Sequence, residues 1–360
     1  MIKSTAIKKN YNAIDLAKFI SAILVVMIHV APFGESNAST VVTLNFAVRK
    51  CLARTAVPFF FIASGFFLYR KTSFKKFDIG PTLKYVKRLA GLYLIWSLIY
   101  FPLNLILFRR DSEGMVHAFL IYIRNFFFAG SYGHLWYLTA LIFAVLLISF
   151  LLSRGKNIKS IILASSIFYL IGLLDQSWYG LILPLKTAAP AVWKVLEAII
   201  FCIVNTRDGL FDGFLFVSIG ALFSQEKVKI SKNASLVGFL VSLILLFTES
   251  FTLRHFNFIK NYDMYIFLVP TTFFAFSYVK QLELADSGKY KKLRNLSTLI
   301  YFMQLWVSPV AEVLLSKIDP SLGRSFLRFL LTLFVTIILG LMVIGLSEKK
   351  PFRWMKRLYS

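Results

Sequence analysis

Asp15, Lys18 and His29 share one apolar run, IDLAKFISAILVVMIHVAP, and an imidazole at the end of such a run is the first candidate for chemistry. An imidazole titrates near neutral pH, so His29 can act as a general base that takes a proton from an acceptor hydroxyl or amine. At about 100° per residue, Lys18 and His29 return to nearly the same azimuth, and Asp15 lies only about 40° from His29. The helical rise separates Lys18 from His29 by roughly 16 Å, too far for a direct pair. The three groups line opposite reaches of one internal passage, or else Asp15 and Lys18 snorkel to water and His29 merely bonds a neighbouring helix. Asp15 is too distant to orient the imidazole, so a second helix or a loop must supply that partner.

Further candidates sit at the ends of other apolar runs. Arg54 precedes AVPFFFIASG and suits an anionic group or a developing oxyanion, with interfacial snorkelling as the alternative. Gly65 in the same run permits close backbone approach. His134 opens HLWYLTALIF, where it bonds at the interface or contacts an acceptor, while Trp136 and Tyr137 read as an aromatic belt. Arg207 and Asp208 precede Gly209; they touch substrate, or Asp208 caps a helix and Arg207 pairs locally. Glu197 is an acid or recognition group within an uncertain segment. Lys84, Lys87 and Arg88 form a basic patch, extended by Lys75 and Lys76, that serves topology or grips phosphates. Four scattered histidines and two cysteines, Cys51 and Cys202, offer no metal-ligand spacing and no disulfide framework. No glycine-rich phosphate loop precedes a helix.

The elements that must position these groups follow from composition. The chain has 360 residues, is 58% hydrophobic, and alternates apolar runs with short basic patches. One soluble core could not bury that much apolar surface, so the expected fold is all-α, a polytopic integral-membrane helical bundle of about ten transmembrane helices. The expected spans are 14–30, 52–69, 86–107, 134–153, 159–174, 209–224, 235–251, 264–279, 296–313 and 325–346. The first run is too long for a secretory h-region and lacks an Ala-x-Ala site, so it is read as a retained helix. A net charge of +24 invites a nucleic-acid reading, but the Lys and Arg lie mostly in linkers, where membrane topology and anionic lipid explain them. The basic linkers, from Lys8 and Lys9 through Lys71 to the tail, fall on one side with both termini, which the positive-inside rule makes cytoplasmic. His29 then lies toward the outside. A piece at 192–204 is either an eleventh span or, as its Trp193, Lys194 and Glu197 favour, a re-entrant or interfacial helix. Residues 1–346 are thus one membrane domain, and 347–360 a short basic cytoplasmic tail.

The chain resembles the integral-membrane acyltransferase 3 family. The resemblance rests on IDLAKFISAILVVMIHVAP, ARTAVPFFFIASGFFLYRK, YVKRLAGLYLIW, GHLWYLTALIF, NTRDGLFDGFLFVSIGALF and LRNLSTLIYFMQLWV, taken in order. It is most similar to the membrane portion of membrane-bound serine racemases and their stand-alone relatives; the cytoplasmic racemase domain of the fused proteins is not expected here. What the resemblance implies is transfer of an acyl group, commonly acetyl from cytoplasmic acetyl-CoA, to an extracytoplasmic carbohydrate or related envelope acceptor. No tightly bound cofactor is implied, since acyl-CoA is a donor substrate. The family's first-helix pattern falls on Lys18 and His29, with Lys18 where arginine is usual; it keeps the charge and loses the two-donor fork. Arg88 matches a basic position whose usual partner arginine is replaced by Gly91, leaving Lys84 or Lys87 to compensate. Gln304 stands where many relatives have histidine and cannot act as a base. The competing expectation is a transporter of a small amino acid or envelope precursor, with Lys18, Arg54 and Arg207 as recognition groups.

Overall fold

Hydrocarbon offers no water to an unpaired amide, so an apolar chain of this kind must satisfy its backbone within helices. The computed structural model describes residues 10–34, 38–70, 72–74, 77–109, 113–317 and 322–360, and every regular element among them is helical. Lys8, Lys9, Lys71, Lys75 and Lys76 lie outside the described residues.

Among the described residues, seven helices are long and apolar enough to cross a membrane. They are α1 (Asn12–Val30), a continuous helical stretch Ser39–Tyr69, α4 (Gly80–Arg109), α6 (Trp136–Ser153), α11 (Lys232–His255), α13 (Gly288–Leu315) and α14 (Leu322–Ser347). The stretch Ser39–Tyr69 runs as α2 (Ser39–Phe46), a π turn (Ala47–Cys51), a 3-10 turn (Leu52–Thr55) and α3 (Ala56–Tyr69). Shorter helices are α5 (Met115–Phe128), α7 (Ile158–Leu173), α8 (Leu185–Ala188), α9 (Pro190–Ile203), α10 (Phe214–Ser224) and α12 (Leu268–Lys280).

Each expected span coincides with a helix, and the differences have physical reasons. The segment expected from 52 begins at Ser39, because the π and 3-10 turns carry the polar residues Arg49, Lys50 and Arg54 without ending the helix. The segment expected at 264–279 is only the 13-residue α12, about 20 Å long and short of the roughly 30 Å hydrocarbon core. The helix at 192–204 forms as α9, with Pro190 at its first turn. Trp193 turns inward while Val192, Val195, Ile199 and Phe201 stay exposed. The basic tail is not a free end. It winds into a 3-10 helix (Lys350–Leu358), where the Trp96 indole N–H donates to the Leu358 carbonyl at 3.0 Å and Ser347 Oγ meets Tyr359 Oη at 2.7 Å.

Exposed Leu98, Leu163, Ile244, Val313 and Phe334 present the apolar outside that lipid covers. Inside, helices meet through small residues and hydroxyl pairs, as expected where hydrophobic contrast with the surroundings is lost. At the α3–α10 crossing a Cβ on Gly65 would lie 2.3 Å from the Val217 carbonyl oxygen, and one on Gly220 would lie 2.2 Å from that of Ile62. Only glycine allows this approach. Interhelical hydroxyl pairs include Ser165–Ser218 at 3.1 Å, Thr82–Ser149 at 2.8 Å and Ser235–Ser277 at 2.8 Å. The helix that carries Asp15, Lys18 and His29 is enclosed, since α1 packs against α3, α12, α13 and α14.

Candidate functional site

His29 occupies the last turn of α1, where a helix leaves its final carbonyls without amide partners. Two arginines from other elements supply donors there. Arg49 Nε donates to the Ile28 carbonyl at 2.6 Å, and the Arg328 guanidinium of α14 donates to the Val30 carbonyl. Glu312 of α13 in turn accepts from Arg328 and, at 2.7 Å, from Arg324. Both cations also suit the negative end of the helix dipole. Ala31, in the left-handed region at φ 51°, then turns the chain away into Pro32. The turn bearing His29 is therefore held from both sides.

The π and 3-10 turns re-phase the second long helix at this level, a device frequent at functional sites. They bring Arg54 to Asp263, in the loop between α11 and α12, where the Arg54 guanidinium donates to the carboxylate. Arg207 donates to the other oxygen of Asp263 at 3.2 Å, and its guanidinium lies 4.7 Å from the centre of the Trp136 ring. Burial would push the Asp263 carboxyl up, but Arg207 and Arg54, with Lys50 behind them, outweigh it and hold it below the ordinary value of 3.8. Arg207 thus pairs with Asp263, and Asp208 takes the capping role that was the alternative to substrate contact. Asp208 caps the π turn Gly209–Gly213, accepting from the amides of Leu210 and Phe211 at 2.8 and 2.9 Å. Burial pushes Asp208 up to about 6, against the pull of those two amides. Gly209 lets the turn press on α6, where a Cβ would meet the Ala140 carbonyl oxygen at 2.8 Å.

These elements enclose a cavity at the His29 end of α1. Its wall includes His29, Arg54, His134, Arg207, Asp212 and Asp263, closed by Tyr137 and Tyr301. The His29 and His134 rings stand edge to face with centroids 6.4 Å apart. His134 is buried among Tyr100, Tyr132 and Tyr301, the last donating its hydroxyl to the His134 carbonyl. Such a wall offers a proton acceptor beside fixed positive charge, which is the arrangement acyl transfer needs.

Of the residues singled out from the sequence, His29, Arg54, His134 and Arg207 meet in this cavity. Trp136 and Tyr137 line it as well, so they serve here rather than as an interfacial belt; Tyr137 Oη also meets Ser64 Oγ at 3.2 Å. Asp208 and Gln304 do not line it. Gln304 is buried in α13 and donates to the Tyr301 carbonyl at 3.2 Å. Lys18, 4.8 Å from the Phe67 ring centre, lies toward the other end of α1 within electrostatic reach of Arg88 and Arg294. Asp15 pairs with Arg294 at 3.7 Å. Lys84, Lys87 and Arg88 are exposed on the first turns of α4. Glu197 accepts from the Trp193 indole at 2.7 Å, in a separate cavity of about 220 Å³ under α9.

Asp263, Asp212, Tyr301, Arg49 and Arg328 were not found from the sequence. Asp212 carried a usable signal, an acid inside the apolar run GLFDGFLFVSIG of a chain with only 17 acidic residues. Asp263 carried none, since HFNFIKNYDMYIF looks like an ordinary connecting loop.

The profile of the acyltransferase domain family matches residues 11–345. Among curated proteins, an amino-acid racemase of Enterococcus faecalis is 31% identical over 346 residues, covering 95% of this chain and 47% of its own length. A serine/alanine racemase of Enterococcus gallinarum is 30% identical over 346 residues, covering 93% and 46%. The chain thus spans about half the length of these relatives. No solved structure matches it. With its helical membrane architecture and a match over nearly its whole length, the chain belongs to the acyltransferase 3 family of multi-pass membrane proteins.

Proposed function

We propose that the protein transfers an acyl group, acetyl from acetyl-CoA or another acyl-CoA, to an extracytoplasmic cell-envelope carbohydrate or related acceptor. The observation that carries this reading is the cavity that gathers His29, His134 and two arginines from separate segments at one end of α1. Acyl-CoA approaches the opposite, cytoplasmic end, on the side shared by both termini, where Lys18, Lys84, Lys87 and Arg88 offer charge to its phosphates. Its flexible arm carries the thioester along the bundle toward His29. His29 takes the proton of an acceptor hydroxyl or amine as that atom attacks the thioester carbonyl carbon. The tetrahedral intermediate collapses with cleavage of the C–S bond, and the imidazolium returns its proton to the CoA sulfur. Arg54 and Arg207 share the single carboxylate of Asp263, so the trio keeps a net positive charge to set against the developing oxyanion. His134 and Arg207 contact the acceptor. Asp208 and Gln304 act behind the wall, through the turn and the tyrosine they hold.

The test supplies radiolabelled acetyl-CoA and envelope fractions to the purified protein in lipid, beside His29→Ala protein. Wild type labels an acceptor, and correctly inserted H29A labels none. Full specific activity from H29A would sink the assignment. A second reading, passage of a small amino acid, draws on the racemase names of the matched relatives. Uptake of labelled serine without acyl transfer would reverse the order.

A further inference from the structure

The cavity holds two carboxylates in different circumstances. Asp263 is matched by two guanidinium groups. Asp212 lines the same cavity, is 2% exposed, and its Oδ1 has no hydrogen-bond donor among the described residues. Its charged neighbours are Asp263, Asp208 and Arg207. Arg207 is engaged by Asp263 and Trp136, and Asp208 by the amides it caps. A buried carboxylate without a donor is costly, and an intramembrane acid facing a cavity marks a ligand path by default. The π turn Gly209–Gly213 and the close contact of Gly209 with α6 fix Asp212 in this wall, so it cannot swing out to lipid or water.

We infer that Asp212 recognises a free ammonium group, and that the acceptor of the proposed transfer is an amino-bearing molecule, anchored by that group and acylated on a neighbouring hydroxyl. The charge layout separates the two functions. The Arg54–Asp263–Arg207 trio is net positive and faces the oxyanion, whereas Asp212 has no ion-pair partner among the described residues. A protonated amine donates up to three hydrogen bonds and supplies the cation that a buried carboxylate needs, while a hydroxyl donates one and supplies no charge. Held as ammonium, the nitrogen has no lone pair to attack the thioester, so the adjacent hydroxyl is the group left for His29.

The role as acceptor rests on the acyl-transfer reading, but the recognition can be tested without it. The full-length protein in lipid nanodiscs is titrated calorimetrically with serine, ethanolamine and glucosamine, each beside its hydroxyl counterpart, glycerate, ethylene glycol and glucose. At least one amine is expected to bind tenfold or more tightly than its counterpart. Asp212→Asn should abolish that preference, and Asp212→Glu should keep part of it. Equal binding within every pair, no binding of any amine, or a preference that survives in D212N overturns the inference. Should D212N fail to insert as a monodisperse protein, a D212E preference equal to wild type or absent altogether decides against it. Amine preference without acetyl transfer would sink the enzyme reading and leave this one standing.

Discussion

Replacing Asp263 with Asn removes the one carboxylate between two guanidinium groups and leaves both cations facing each other. The side chains are 11% exposed for Arg54, 14% for Asp263 and 30% for Arg207, so water screens the Arg207 arm more than the other. Removing one partner of a well-buried pair costs about 3–5 kcal/mol, whereas a solvated pair contributes about 0–1 kcal/mol. Discounting the more open arm, the expected loss for D263N is about 2–4 kcal/mol. The dependence on pH has a definite sign. The folded protein holds the Asp263 carboxyl below 3.8, so its contribution is complete above that value and is lost as pH falls below it. The gap between wild type and D263N should therefore be constant from about pH 5 upward and narrow only in stronger acid. Reversible unfolding of the protein in mixed micelles, followed by tryptophan fluorescence, measures the gap. A cycle with Arg54→Met should return a coupling of about 2 kcal/mol or more. Indistinguishable stability of D263N at neutral pH, or a gap that widens in acid, would refute the arrangement.

Two further outcomes follow from the geometry. Arg328→Leu removes a donor from the α1 terminus beside His29, so kcat for acyl transfer should fall roughly 10- to 100-fold with KM for acyl-CoA unchanged, and Arg328→Lys should recover part of it; a loss confined to KM contradicts a positioning role. Gly220→Ala forces a methyl to 2.2 Å from the Ile62 carbonyl oxygen, and overpacking of this kind should cost about 3 kcal/mol in the same unfolding assay; a neutral substitution would show that the α3–α10 crossing is loose.

The helical membrane class was legible because apolar runs of this length have few other solutions in water or lipid. The helices fell where hydropathy along the chain puts them, while the shortness of α12 and the early start at Ser39 were not visible, because they depend on neighbours. His29, Arg54, His134 and Arg207 were legible as polar groups at the ends of apolar runs. Asp208 was equally legible as a polar residue before a helix, yet its choice of backbone amides over substrate was visible only in three dimensions. Trp136 shows the same limit, since an aromatic at a helix start has one appearance at a lipid interface and in a cavity wall.

The amino-acid sequence by itself determined that this chain lives in a membrane, how its long helices alternate with basic linkers, and that Lys18 and His29 share one face of the first helix. Those properties are local, set by hydrophobicity along the chain and by the helical repeat. Only the tertiary structure decided that Arg54 and Arg207, 153 positions apart by number, share Asp263, that Arg49 and Arg328 hold the turn bearing His29, and that Asp212 lines the cavity with an Oδ1 that has no donor among the described residues. Each of these is a contact between segments distant in the chain, and π turns, glycine crossings and loop paths select such partners in ways that residue spacing does not encode.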